Sequence, residues 1–265
     1  MQLLAEDVRV GYDSAVIVDG MNISFPAGKI TTIIGSNGCG KSTLLKALTR
    51  IIPHQGGSVT LDGLDIRSME TKALARKMAI LPQTPESAGG LLVEELVAYG
   101  RFPHQKGFGR LSKEDRRMID WALEVTRTAE FRDRPVDALS GGQRQRVWIA
   151  MALAQDTGII FLDEPTTYLD MAHQLEILEL LQELNRKEER TIVMVLHDLN
   201  QAARFSDHLI ALSQGRLVKA GTPEDVLVPD VLKEVFNIDA VIARDPRTHA
   251  PLCITYDLIK GDQPT

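Results

Sequence analysis

Short apolar runs rich in β-branched residues alternate with amphipathic stretches along most of this chain. Residues 29–34 and 158–162 are two such runs, and each is followed by a longer segment of helical periodicity, at residues 42–49 and 172–187. Alternation of this kind predicts strands and helices that build an α/β core around a largely parallel sheet.

Two parts of the chain depart from this alternation. Near the beginning, residues 3–10, 16–25 and 58–62 are β-like, which predicts an antiparallel β layer beside the main sheet. From about residue 86 to residue 154 the pattern is mostly helical, with segments at 93–100, at 112–126 and after Ser140. Ser112 followed by Asp115 is typical of a capped helix start. The apolar residues Leu91, Leu92, Val93, Leu96 and Val97 are predicted to lie mostly in the core.

These patterns predict one domain, residues 1–265, with three parts. Residues 1–85 and 155–220 form the core with its β layer, residues 86–154 a helical subdomain, and residues 221–265 an appendage. Within the appendage we expect one short helix from Thr222 to about Phe236, followed by a β-like stretch at 238–256. No internal repeat is visible.

Composition excludes several classes of function. The 265 residues are 44% hydrophobic and carry a net charge of −6, which argues against a nucleic-acid partner because such proteins need a clustered basic surface. The longest apolar runs fall short of the roughly 18 residues that a membrane span needs, and residues 1–9 lack a signal-peptide core. Two cysteines, Cys39 and Cys253, indicate a reducing compartment without a structural disulfide. The chain is therefore expected in the cytosol.

A glycine-rich loop between an apolar strand and an apolar helix matches the pattern GxxxxGK[ST]. Glycines let backbone N–H groups turn toward phosphates, and the helix N-terminus adds partial positive charge. Lys41 would reach the β- and γ-phosphates, and the Ser42 hydroxyl would bind Mg²⁺. A mere glycine-rich turn is the alternative, which the strand–loop–helix context disfavours. The predicted ATP-binding residues of the loop are Gly35, Ser36, Asn37, Gly38, Cys39, Gly40, Lys41, Ser42 and Thr43.

Acidic and polar side chains follow three further β-like runs. Asp163 and Glu164 end the run at 159–162, at the sheet edge where α/β proteins bind ligands. Asp163 can hold Mg²⁺ and Glu164 can act as general base, although a solvated strand end or a helix cap is the alternative. His197 follows the run at 191–196 and could sense the γ-phosphate, and Gln83 could complete the Mg²⁺ shell. Taken alone, a histidine or glutamine in these places is more often structural.

The pentapeptide Leu139, Ser140, Gly141, Gly142 and Gln143, followed by an Ala-rich helix, resembles the signature motif of ABC ATPases. The other elements of that family occur in the expected order. Tyr12 is similar to the aromatic residue that stacks on adenine, Gln83 to the Q-loop, and His197 to the switch histidine. Residues 168–170, ending in Asp170, resemble the D-loop. The resemblance implies an ABC-type ATPase that uses Mg²⁺ and ATP, with a P-loop NTPase core of mostly parallel strands, an antiparallel β subdomain and an inserted α-helical subdomain.

The same resemblance implies partners. The signature would act on ATP bound to a second copy, so the catalytic unit would be a homodimer. Membrane permease subunits would dock near the Q-loop and the helical subdomain, and a periplasmic or lipoprotein substrate-binding protein would act indirectly. The implied location is the cytoplasmic face of the bacterial inner membrane, where the permease would hold the chain peripherally.

Three segments resemble the importers of ferric siderophores, haem and vitamin B12: residues 100–104, 168–174 and 197–203, together with the tail at 235–251. None of these residues would touch the cargo, so the implied substrate, a ferric siderophore or related metal chelate, follows from descent alone. The alternatives are an exporter subunit, a soluble ABC ATPase and an inactive regulatory module. The presence of Lys41, Glu164 and His197 argues against an inactive regulatory module. Ser36, where many relatives have proline, should leave the phosphate loop slightly less rigid.

Overall fold

The computed structural model describes residues 1–12, 15–83, 89–105 and 110–259. The first residues of the predicted helical subdomain, 86–88, and the last of the predicted appendage, 260–265, lie outside these ranges. The strands are β1 Leu3–Tyr12, β2 Ala15–Phe25, β3 Ile30–Gly35, β4 Gly56–Leu61, β5 Leu64–Asp65, β6 Met78–Leu81, β7 Ile159–Asp163, β8 Thr191–Val195, β9 His208–Ser213, β10 Arg216–Gly221, β11 Ile238–Arg244 and β12 Pro251–Leu258.

The helices are α1 Lys41–Leu48, α2 Thr71–Ala75, α3 Val93–Tyr99, α4 Lys113–Val125, α5 Gly141–Ala154, α6 Met171–Glu188, α7 Leu199–Phe205, α8 Pro223–Val226 and α9 Pro229–Phe236. Short 3₁₀ turns occupy Phe102–His104, Ala129–Phe131 and Val136–Ala138. Among the described residues, no helix has the length and apolar character that crossing a membrane requires.

The chain folds as two compact units, the first made of residues 1–67 and 193–265 and the second of residues 68–192. In the first unit an antiparallel sheet has the strand order β2-β1-β4-β5. The burial of β1 varies along the strand, whereas every residue of β3 is buried, as expected for a strand covered on both faces. β3 pairs with β9 in parallel and β9 with β10 antiparallel. The predicted fold class, a parallel core with an antiparallel β layer, is confirmed.

In the second unit β6 and β7 pair in parallel, with Met78 opposite Ile159 and Leu81 opposite Leu162. The helical part packs α3 and α4 against α5. Val93, Leu96 and Val97 of α3 are buried, as predicted, because they share one helix face. Leu91 and Leu92, which precede the helix, are only half-buried.

A buried ion pair connects three helices of the second unit, α3, α4 and α5. Arg101 Nε donates to Asp115 Oδ1 at 2.9 Å and Arg101 also donates to the Ala154 carbonyl at 2.7 Å. The other oxygen of Asp115 accepts from the backbone N–H and the hydroxyl of Ser112 at 2.9 and 2.7 Å, which is the predicted capped start of α4. Burial acts to raise the pKa of Asp115, but the hydrogen bonds from Ser112 and Arg101 outweigh it and lower that pKa. Arg101 thus joins the end of α3, the start of α4 and the end of α5.

The appendage differs from the sequence-based expectation in two ways. The single helix predicted from Thr222 to Phe236 is wrong, because α8 ends at Val226 and α9 begins afresh at Pro229. Proline lacks the N–H that a continuous helix would need there and instead suits a first helical position. The β-like stretch at 238–256 is a hairpin of β11 and β12, with Asp245 accepting from the backbone N–H of Arg247 in the turn.

Candidate functional site

The phosphate loop lies in the first unit, between buried β3 and α1. Gly38 and Gly40 have φ of 78° and 102°, conformations that a residue with a side chain adopts only with strain. A Cβ at Gly35 would lie 2.5 Å from the Leu212 carbonyl oxygen and 2.6 Å from Cys39 Sγ, so this position has no room for one. The backbone is therefore shaped by glycines into a tight concave loop that opens a helix, which is the arrangement that binds phosphate groups.

Lys41, the first residue of α1, is 5% exposed. Its ammonium Nζ donates to the carbonyl oxygens of Gly35 and Ser36 at 2.9 and 3.0 Å. These two hydrogen bonds keep the ammonium group of Lys41 beside the first residues of the phosphate loop, near the N-terminus of α1. The cation, the helix start and the glycine backbone fit a polyphosphate. Ser42, the next residue, is half-buried and offers the hydroxyl that the sequence analysis assigned to Mg²⁺.

Cys39 is buried inside the loop and its thiol is free. Burial raises the pKa of this thiol, and the nearby Lys41 ammonium opposes that rise only in part. The thiol is therefore the dominant form at neutral pH, and its reactivity should increase in alkaline solution because the thiolate is the nucleophile.

The two acidic residues at the end of β7 lie in the second unit. Asp163 is 3% exposed and ends a strand in which every residue is buried. Glu164 has a φ of 53°, a left-handed conformation that turns the chain away from the strand direction. Asp163 and Glu164 are thus set at the carboxyl end of a central strand, as the sequence predicted.

Glu164 is held by two side-chain donors of the same unit. Gln83 Nε2 donates to Glu164 Oε2 at 2.6 Å, and Thr167 Oγ1 donates to the same oxygen at 3.0 Å. The sequence predicts Gln83 near Mg²⁺, whereas its bond to Glu164 is seen only in the structure. With its nitrogen on Glu164, the amide oxygen of Gln83 is the atom suited to a metal. Thr167 carried no sequence signal beyond its place three residues after Glu164.

The signature pentapeptide forms the start of α5 in the second unit. Ser140 is the N-cap: its hydroxyl accepts from the N–H of Gln143 at 3.3 Å, and the Gln143 side chain accepts from the N–H of Ser140 at 3.0 Å. Leu139 and Gly142 are buried, while Ser140 and Gly141 are exposed. This reciprocal cap leaves an exposed helix N-terminus, a second place in the chain where an anion is favoured.

The remaining predicted residues end strands or begin helices. Tyr12 ends β1 and is 48% exposed, so part of its ring is accessible for stacking. His197, one residue after buried Leu196, is exposed in the first unit. Asp170 is the N-cap of α6 and accepts from the N–H of His173 at 3.0 Å. Hydrogen bonds from the backbone and side chain of His173 lower the pKa of Asp170.

Each unit thus carries its own part of the predicted site. The first contains Tyr12, the loop from Gly35 to Thr43, and His197. The second contains Gln83, Asp163, Glu164, Asp170 and the signature. Of these, the structure brings Gln83 into contact with Glu164, and Lys41 into contact with the loop that precedes it.

Comparison with known proteins gives consistent results. The family model described as "ABC transporter" matches residues 18–167. An iron(3+)-hydroxamate import ATP-binding protein of Bacillus subtilis (strain 168) is 62% identical over 261 residues, which are 98% of this chain and 97% of that protein.

Two solved structures have a similar fold over most of this chain. An inward-facing metal-chelate type ABC transporter has a TM-score of 0.82 at 27% identity, covering 95% of this chain and 96% of that chain. A dimeric ATP-binding cassette bound to ADP and Pi has a TM-score of 0.72 at 29% identity, covering 83% and 98%.

Proposed function

The chain belongs to the ABC transporter family, and from this premise we propose that it is the ATP-hydrolysing subunit of an importer for ferric siderophores. The observation that carries the substrate class is the 62% identity to the iron(3+)-hydroxamate import protein, which extends over nearly the full length of both chains. The exporter subunit and the soluble ATPase remain the alternatives, and neither has support of this extent.

We propose roles for the residues of each unit. In the first unit, Lys41 and the backbone of Gly35 to Thr43 would hold the phosphates, Tyr12 would stack on the adenine, and the Ser42 hydroxyl would be a Mg²⁺ ligand. In the second unit, Asp163 and the amide oxygen of Gln83 would supply further Mg²⁺ ligands. When bound, Mg²⁺ neutralises phosphate charge as a Lewis acid.

Glu164 is proposed as the general base that takes the proton of the attacking water. Gln83 and Thr167 orient its carboxylate through hydrogen bonds to Oε2, which holds the proposed base in one direction. His197 is proposed to sense the γ-phosphate. Since Gln83 touches Glu164 directly, a displacement of the Q-loop would change the orientation of the base, which would connect hydrolysis to a permease.

We further propose that two copies pair so that the Ser140-capped N-terminus of α5 in one copy faces ATP held by the other. The similar cassette with bound ADP and Pi is itself dimeric, which supports the pairing of two copies. Permease subunits near the Q-loop and the helical subdomain, and a periplasmic or lipoprotein binding protein, would complete the importer. The chain would lie at the cytoplasmic face of the inner membrane. The division into core, helical subdomain 86–154 and appendage 221–265 is kept as a proposal.

A growth experiment tests the substrate class. A strain that lacks this gene should fail to grow on a ferric hydroxamate as sole iron source, and should grow normally with excess inorganic iron. The wild-type gene should restore growth, whereas a Lys41→Ala copy should not. Normal growth of the deletion strain on every ferric siderophore tested, in the absence of a second importer, would refute the proposal.

A further inference from the structure

Residues 171–174, which follow the D-loop, have no role in the function proposed above, yet the side chains of His173 and Gln174 make defined hydrogen bonds. His173 Nδ1 lies 2.8 Å from Asp170 Oδ1, the same oxygen that accepts from the His173 backbone N–H. A carboxylate only accepts hydrogen bonds, so Nδ1 carries a proton. Asp170 thereby fixes both the start of α6 and the direction of the His173 imidazole.

The fixed imidazole lies against the signature helix of the same unit. A Cβ on Gly142, the second residue of α5, would lie 2.6 Å from His173 Cδ2 and 3.0 Å from Cγ. The ring therefore occupies the space that a side chain at position 142 would need. A residue larger than glycine at this position would require the His173 ring to move.

The D-loop, which precedes α6, is held by hydrogen bonds from the Gln174 side chain. Gln174 Nε2 donates to the carbonyl oxygens of Leu169 and Thr166 at 3.1 and 3.3 Å. Leu169 Cδ2 lies 4.0 Å from the position that a Cβ on Gly141 would take, so the D-loop side chain lies beside the start of α5. Leu169 and His173 thus lie next to the two glycines that follow Ser140.

We propose that His173 is a positioning residue that locks the N-terminus of α5 to the D-loop, so that Asp170 and the signature take up one orientation together. This inference rests on the proposed pairing of two copies, in which the α5 N-terminus faces the partner's ATP. A small displacement of that N-terminus weakens stabilisation of charge in the transition state without touching the nucleotide pocket of its own chain.

The test compares variants of the full-length chain. His173→Ala should lower kcat for ATP about tenfold, leave the affinity of single subunits for a fluorescent ATP analogue unchanged, and weaken ATP-dependent dimerisation in a Glu164→Gln background. His173→Asn keeps a donor for Asp170 but loses the ring edge, and His173→Phe keeps a ring but loses the donor. Both variants should have a lower kcat than the parent, because the proposed positioning needs the hydrogen bond to Asp170 as well as the ring beside Gly142. Glu179→Ala, on the exposed side of the same helix, is the control.

A double variant separates positioning from simple stabilisation. Gly142→Ala should lose activity because its methyl group meets the tethered ring, and Gly142→Ala with His173→Ala should be more active than Gly142→Ala alone. The inference is overturned if His173→Ala keeps parental kcat, if its loss is matched by a lower Tm and weaker nucleotide binding, or if the two substitutions simply add. Full activity of Lys41→Ala would instead contradict the proposed ATPase function.

Discussion

At the scale of single residues, Glu164 and Cys39 show how local surroundings set chemistry. Glu164 is half-buried, turned out of the strand by a left-handed backbone and held at one oxygen by Gln83 and Thr167. Cys39 is buried in the phosphate loop, where its sulfur fills the space beside Gly35. Both positions can be tested by changes that preserve the shape of the fold.

Replacing Glu164 by glutamine should leave ATP binding intact and slow hydrolysis by about 10²–10⁴-fold, the range expected for loss of a general base. The glutamine amide is of similar size but cannot accept a proton from water. Steady-state ATPase rates and equilibrium nucleotide binding would be measured together, with Glu179→Gln as the matched control. Near-normal turnover of Glu164→Gln would remove this residue from the proposed role.

Alkylation of Cys39 should abolish ATPase activity, because an added group in the loop would occupy the phosphate cradle, and bound ATP should protect. In a Cys253→Ser background only Cys39 can react. Since burial raises its pKa, the thiolate fraction is small at pH 7 and the rate of modification should rise as the pH approaches that pKa. Mass spectrometry would confirm the extent of reaction. Full activity after complete modification would refute the prediction, and Cys39→Ser should be insensitive.

At the scale of elements, helices α3, α4 and α5 of the second unit are joined by the buried Arg101–Asp115 pair, whose side chains are 4% and 7% exposed. Arg101 belongs to a segment that the sequence analysis used only as a mark of descent, and the structure gives it a packing role. His104 in the same segment contacts the Gln155 carbonyl at 2.8 Å, so this segment is bonded to the end of α5 at two points.

Arg101→Ala should destabilise the protein by roughly 3 kcal/mol, because it leaves the buried Asp115 carboxylate without its partner. The folded-state pKa of Asp115 is lowered, so its contribution to stability is present at neutral pH and is lost as the pH falls through that pKa. Urea unfolding at pH 7 would measure the loss. Arg117→Ala, which breaks the exposed pair with Glu114, should change stability far less, because water and salt screen an ion pair at the surface. Equal effects of the two substitutions would contradict the argument.

The sequence predicted those elements whose signals are local. The phosphate loop, the Ser112–Asp115 cap and the strand that ends at Asp163 each depend on neighbouring residues, and all three occur as expected. The break between α8 and α9 is also encoded locally, by Pro229 at the first position of α9. In contrast, the contacts of Gln83 with Glu164 and of His173 with Gly142 join residues 81 and 31 positions apart, and no periodicity encodes which side chains meet across such distances.

At the scale of the whole molecule, the chain carries two helix N-termini suited to phosphate, one opened by the glycine loop and one by the Ser140 cap. A nucleotide held by a single chain needs only one cradle. The Ser140-capped N-terminus has a role if two copies pair, so that each ATP lies between the phosphate loop of one copy and the capped helix of the other.

Mixing two inactive variants tests this exchange. Lys41→Ala and Ser140→Arg subunits should each lack activity, but a mixed dimer has one site with both halves intact. Random pairing places half of the chains in mixed dimers, so an equimolar mixture should recover about a quarter of parental ATPase activity. Lys41→Ala mixed with a chain that carries both substitutions should recover none. No recovery in the first mixture would show that the signature does not act across the pair.

The two phosphate-facing helix N-termini also have a genetic consequence. Because each chain supplies half of two sites, a Lys41→Ala allele expressed beside an equal dose of the wild-type allele would leave only about a quarter of the dimers fully intact. About half of the dimers would keep one intact site, so about half of all ATP sites would still work, as many as a single dose of the wild-type allele provides. The Lys41→Ala allele would therefore be dominant over a lesion that prevents folding only where transport needs both sites of a dimer, and the phenotype of the mixed strain would show whether one working site is enough.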